Sequence, residues 1–146
     1  MLSWVKPEHF DIKRIYVNEL KSAVSSLIKI DEAKSIYEKL QCVCYAHNTI
    51  NNTIKFSKGY DTGAGVEEIS PLFHFVIIKA RPKRFFSNIN YIKAFLSPVK
   101  YKCIDGFLLS QMEFAAEFIL KITCEDLKMT EEEFNNNCMQ MKEKLN

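Results

Sequence analysis

The sequence predicts an all-α domain, and three observations carry that expectation. Apolar residues recur every three or four positions through long stretches in both halves of the chain. Two S/T-x-x-E signals, Ser110 with Glu113 and Thr130 with Glu133, mark helix starts. No run of alternating apolar and polar residues stands between turn signals, and no period repeats along the chain.

Taken in order, residues 7–30 carry Tyr16, Leu20, Val24, Leu27 and Ile28 at helical spacing, with a break expected near Asp11. A second stripe of Ile36, Leu40, Cys44, His47, Ile50 and Ile54 predicts a long helix that opens near Asp31 and ends before Gly59. Residues 59–65, GYDTGAG, hold three of the four glycines and read as a loop. The segment 67–80 is apolar on every side of the helical wheel, the pattern of a helix surrounded by others. A buried strand is its rival, because six of its residues are β-branched or aromatic. Pro71 favours the helix: proline is tolerated in a first helical turn and removes a hydrogen bond from a central strand. Ser87 is expected to cap a helix through Leu96 that Pro98 stops. Capping boxes at Ser110 and Thr130 then open the last helices, giving about six in one layered domain over residues 1–146.

The 146 residues, 47% hydrophobic and 12% aromatic, suffice for one buried core and are too few for two ordinary domains. A formal charge of +2 lacks the dense positive field of a nucleic-acid binder, so no nucleic-acid partner is expected. No apolar run approaches the roughly 20 residues that span a bilayer. The N-terminus lacks a signal peptide's apolar core, and the chain reads as cytosolic. Five scattered cysteines are an odd set and predict reduced thiols.

Several motifs have plainer explanations than chemistry. Cys42 and Cys44, near His47, would lie about 200° apart on a helix and cannot share a metal there. No metal or cofactor is expected. His74, inside an apolar helix without a neighbouring nucleophile, reads as a core or interface histidine. KARPKRF, residues 79–85, reads as a solvated turn, with anionic lipid or an acidic protein face as the rival. The Asn51-Asn52-Thr53 glycosylation match is accidental in a chain without a secretory signal. With no phosphate-cradling loop, nucleophile elbow or metalloprotease helix, the residues favour a helical protein that acts by binding.

The stretch EEISPLFHFVIIKARPKRFFSNINYIKAF resembles the vacuolar protein sorting 9 domain, a nucleotide-exchange module for early-endosomal Rab GTPases. The acidic pair Glu67-Glu68, Pro71, Lys79, Pro82, Ser87-Asn88 and Tyr91-Ile92 keep the family's order and spacing. Gly106-Phe107-Leu108-Leu109-Ser110 stands where the family has Gly-Tyr-x-x-Thr. The specific motifs cover residues 63–122; Trp4-x-x-Pro7-Glu8-His9 and Lys39-Leu40-x-Cys42 fit more loosely.

The resemblance implies a domain that binds a nucleotide-free early-endosomal Rab GTPase and promotes GDP release without bond chemistry of its own. It implies that Glu67 stands for an aspartate that pairs with the lysine of the GTPase phosphate-binding loop. Phe107 stands for a tyrosine beside that acid, and Glu68, Pro71 and Ser110 fall at partner-contacting positions. Peripheral association with endosomes would come through flanking regions. Glutamate for aspartate keeps the charge and adds a methylene. Phenylalanine for tyrosine loses a hydroxyl, worth about 0.5–1.5 kcal/mol as a net hydrogen bond. The rival to exchange is a weakened GTPase-binding adaptor or a helical scaffold.

Overall fold

Apolar side chains at Tyr16, Leu20, Ala23 and Leu27 share one face of α1 (Arg14–Ile28) in the computed structural model, which describes residues 2–59 and 65–146. The buried stripe is turned slightly from the expected one: Ala23 is buried, Val24 is half-buried and Ile28 is exposed. The expected break before α1 is a single 3-10 turn, Pro7–Phe10, closed by Asp11 in the left-handed region at φ 55°.

The second helix, α2 (Ile36–Lys58), begins at the first residue of the apolar stripe, later than the opening expected near Asp31. Ser35 accepts the Glu38 N–H at 3.1 Å, and the Glu38 carboxylate takes the Lys34 N–H at 2.9 Å, so a capping box fixes the start there. Its core face is Leu40, Val43, Ala46, Ile50 and Ile54, with Cys44 and His47 only half-buried. Gly59 ends it at φ 89°, a conformation open to glycine. Residues 60–64 of the expected loop lie outside the described residues.

The apolar-all-round segment is α3 (Val66–Ala80), and helix rather than strand is confirmed. Seven consecutive residues, 72–78, are buried because α1, α2 and α6 all pack against it. Pro71 lies in the second turn rather than the first. Proline carries no N–H for the carbonyl four residues back, so the ladder is interrupted at Glu67. The burial that follows offsets that loss, and the helix stays intact through Ala80.

At the end of α3, Arg81 turns left-handed at φ 46° and the chain enters α4 (Phe85–Phe95). Ser87 is inside this helix and does not cap it. The turn into the helix is held by a distant residue: the Asp31 carboxylate accepts the backbone N–H groups of Lys83 at 2.7 Å and Arg84 at 3.1 Å. The same carboxylate accepts from the Asn88 amide at 3.0 Å, and Asn88 in turn accepts from buried Lys39 at 2.7 Å. The carboxylate thereby holds the turn that leads into α4 and places a negative charge near the helix N-terminus, which is favourable.

Pro98 opens a short helix, α5 (Pro98–Tyr101), capped by Ser97, and α6 (Ile104–Lys121) follows. The capping box expected at Ser110 does not form, since α6 is already under way there. The Ser110 hydroxyl donates to the Gly106 carbonyl at 3.0 Å, and Glu113 pairs with Lys93 at 3.0 Å. The expected box at Thr130 does form and starts α7 (Glu131–Leu145). Seven α-helices and no strand are present among the described residues, and no described helix is long and apolar enough to cross a membrane.

Removing the Asp31 carboxylate leaves two backbone N–H groups and the Asn88 amide without their acceptor. Asp31→Ala is expected to cost about 1–3 kcal/mol of stability, read as a lower urea midpoint with an unchanged slope. An unchanged midpoint would show that water replaces the carboxylate at no cost.

Candidate functional site

The two adjacent glutamates at the head of α3 do different work. The Glu68 carboxylate accepts the Gly65 N–H at 3.3 Å and forms an ion pair with Lys58 from the end of α2. It holds the helix start to its neighbour. Glu67, one residue earlier and about 100° away around the helix, is exposed and makes no ion pair or hydrogen bond through its side chain among the described residues. A charge left without a partner at a helix N-terminus gains only about 0.3–1 kcal/mol from the backbone dipole, so it remains available to another molecule.

Glu67 lies on the rim of a cavity of ≈ 350 Å³. Residues 67, 70, 71 and 74 share one side of α3 and line it, opposite Phe114 and Phe118 of α6. The N-terminal turn supplies Phe10, and an ion pair between Asp11 and Lys128 closes one edge. Lys128, like Asp11, has a left-handed backbone, at φ 54°. At the floor, His74 is 5% exposed and stacks on Phe118 with ring centres 4.5 Å apart, while Phe114 stands 5.5 Å away. Burial pushes the His74 pKa down to about 4, so the imidazole is neutral near neutral pH.

Phe107 packs against α2. Its ring meets His47 edge-on at 5.5 Å, and His47 stands 6.1 Å from Phe73. It is 38% exposed and does not line the Glu67 cavity. Phe107, Ser110, Phe114 and Phe118 nevertheless follow helical spacing along one side of α6, and all but Phe118 are exposed. Glu67 and Pro71 are therefore brought together, Phe107 and Ser110 lie along the α6 edge, and Glu68 is committed to its own helix.

Gly106 fixes where that edge begins. A Cβ built there would stand 1.8 Å from the Tyr101 carbonyl oxygen, so only glycine lets α5 lie against α6. His47 is half-buried with its pKa also lowered by burial, and it supports Phe107 as a neutral ring. Burial of Cys42 pushes its thiol pKa up. No group of three metal-ligating side chains occurs among the described residues.

Phe114, Phe118, Asp11 and Lys128 were not singled out as site residues from sequence. Phe114, 55% exposed in an aromatic stripe, carried a usable signal; Asp11 and Lys128 meet across 117 positions and carried none.

His74 accepts a proton readily when unfolded and poorly when folded. Its contribution to stability is present above about pH 6.5 and is lost as pH falls toward about 4. The unfolding midpoint is expected to drop across that window, and His74→Phe is expected to flatten part of the drop. A His74→Phe profile parallel to the parent would contradict it. Gly106→Ala is expected to destabilise by about 1–3 kcal/mol through overpacking against backbone, with a lowered melting temperature as the measurement.

A model of the vacuolar sorting protein 9 (VPS9) domain matches residues 20–124. The Schizosaccharomyces pombe vacuolar protein sorting-associated protein vps901 is 29% identical over 92% of this chain and 23% of its own length. The Homo sapiens Rab5 GDP/GTP exchange factor is 28% identical over 92% of this chain and 28% of its own length. An Arabidopsis thaliana vacuolar protein sorting-associated protein 9A is 28% identical over 92% of this chain and 26% of its own length. The chain thus spans about a quarter of the length of these curated relatives.

Proposed function

The chain belongs to the VPS9 domain family, and from that premise we propose that it binds a nucleotide-free small GTPase of the early-endosomal Rab subfamily and promotes GDP release. The observation that carries this reading is the unpaired Glu67 carboxylate, exposed on the first turn of a helix whose residues 72–78 are buried. A GTPase phosphate site holds a lysine that nucleotide phosphate neutralises, and a carboxylate placed there substitutes for the phosphate charge.

The domain acts by differential binding. Whatever factor favours the empty GTPase over the loaded one is, by linkage, the factor by which the bound domain weakens nucleotide. No cofactor or metal of the domain's own enters the step. Pro71, on the Glu67 rim, and the α6 edge of Phe107 and Ser110 offer apolar surface to the GTPase switch segments. A cytosolic domain delivered to endosomes by flanking regions suits this role.

A second reading, an adaptor that binds a GTPase without ejecting nucleotide, draws on two observations. Phe107 has no hydroxyl, and the Ser110 hydroxyl is taken up by the Gly106 carbonyl. Both reduce the polar contacts that the α6 edge can give.

Fluorescent GDP release from a panel of Rab GTPases separates the two. Exchange predicts acceleration of at least one early-endosomal member at micromolar domain, and Glu67→Ala should lose on the order of a hundredfold while stability falls by no more than about 1 kcal/mol. Phe107→Tyr, which restores one hydroxyl, should raise the rate by roughly two- to twelvefold. Complex formation without acceleration, and no gain in Phe107→Tyr, would favour the adaptor.

A further inference from the structure

The tail of α3 borders a pocket that the exchange reading does not use. A cavity of ≈ 510 Å³ lies where the ends of α3 and α6, the start of α4 and one face of α7 meet. Ile78, Phe85, Ile119, Ile122 and Phe134 line it, and Arg81 is the one charged group among its described lining residues. Two of its apolar residues remain in water: Phe86 is 46% exposed and Leu120 71%. Large apolar side chains grouped at a surface mark a place of contact.

The turn 81–84 beside this pocket is cationic. Arg81, Lys83 and Arg84 are exposed, and none of the three side chains forms an ion pair among the described residues. The Asp31 carboxylate at this turn is engaged by the Lys83 and Arg84 backbone N–H groups and by the Asn88 amide, and one acid against three cations leaves the turn net positive. Arg81 also holds its position at a cost. Its backbone is left-handed at φ 46°, in a helix-ending place that glycine fills without strain. An arginine held in that conformation implies a use for its side chain.

These features together select a partner. A small anion would leave the apolar pocket empty, and a neutral apolar molecule would leave the cations unmet. An amphipathic helix needs a groove along neighbouring helices, whereas these lining residues are gathered mostly from helix ends. An anionic bilayer meets both halves, because its headgroups pair with lysine and arginine while its acyl region takes phenylalanine and leucine.

We propose that this end of the domain docks on the surface of an anionic phospholipid membrane, with Arg81, Lys83 and Arg84 on the headgroups and Phe86 and Leu120 entering the acyl boundary. The 15 residues of α3 separate this face from the head of the helix by about 20 Å. The domain therefore keeps the Glu67 end free for a GTPase while the other end meets the membrane. The proposal does not rest on the exchange reading, since it uses none of the residues placed at the Glu67 rim or the α6 edge.

Co-sedimentation of the whole chain with vesicles tests it. The chain is expected to bind vesicles of phosphatidylcholine and phosphatidylserine mixed at about two to one, and to bind phosphatidylcholine alone about tenfold or more weakly. Each cation at such a surface is worth about fivefold, so Arg81→Gly, Lys83→Gln and Arg84→Gln combined should weaken binding on the order of a hundredfold. The same charge removed from α1, through Lys13→Gln, Arg14→Gln and Lys21→Gln combined, should change it by no more than about threefold. Leu120→Ser alone should weaken it about tenfold. Arg81→Gly alone relieves the left-handed strain, so it should melt no lower than the parent while losing about fivefold in binding. Failure of the parent to bind the anionic vesicles, or equal losses in the two triple variants, overturns the proposal. A dimer in solution that Leu120→Ser dissolves would assign the face to a second copy and overturn it as well. So would an acidic amphipathic peptide that binds at Arg81 where the vesicles do not. None of these outcomes bears on GDP release, which is read in solution without lipid.

Discussion

Burial of α3 is the constraint on which the rest of the structure depends. Its residues 72–78 are enclosed by α1, α2 and α6, and this core holds the helix together despite a proline in its second turn. Only the head of the helix emerges. Pro71 breaks the ladder at the carbonyl of Glu67, Glu68 turns inward to Gly65 and Lys58, and Glu67 is left as the carboxylate that faces outward. A carboxylate on so firmly packed a base loses little freedom on meeting a partner, and preorganisation of that kind favours affinity.

Other residues that gave the family resemblance turn out to serve this geometry. Asn88 joins Asp31 to Lys39 and so fixes the start of α4 relative to the 3-10 turn Lys29–Asp31. Gly106 permits the close approach of Tyr101 that sets where the exposed edge of α6 begins. Lys79 reaches back to the Ser3 carbonyl at 3.1 Å and ties the N-terminal segment to the end of α3. The shared motif therefore mixes a small outward-facing group with a larger set of positioning residues.

The helices themselves were legible because helical periodicity and capping are local. α2, α3 and the Thr130 box of α7 were readable within a few residues. Ser87 and Ser110 misled, because a serine with a plausible start-signal spacing also occurs inside helices; Asp31 holds the turn into α4 from 53 positions away. At the site, Glu67 and Pro71 were candidates through the family resemblance rather than through the helical pattern, and both line one cavity. Phe107 was named from its place in the motif, but its packing on His47 depends on α2. His74 was read as a core or interface histidine. It is indeed buried, and the cavity it lines depends on Phe114, Phe118 and the N-terminal turn arriving from elsewhere in the chain.

In the proposed function, Glu67 replaces phosphate charge on a GTPase and thereby separates the empty state from the loaded one. Its most direct measurement is the ratio of the chain's affinities for the nucleotide-free and GDP-bound forms of one early-endosomal Rab GTPase, taken for the parent and for Glu67→Ala. A ratio on the order of a thousand, equivalent to about 4 kcal/mol of coupling, that collapses toward one in the variant is the predicted result. Equal affinities for the two forms in the parent, or a ratio that Glu67→Ala leaves intact, would contradict it.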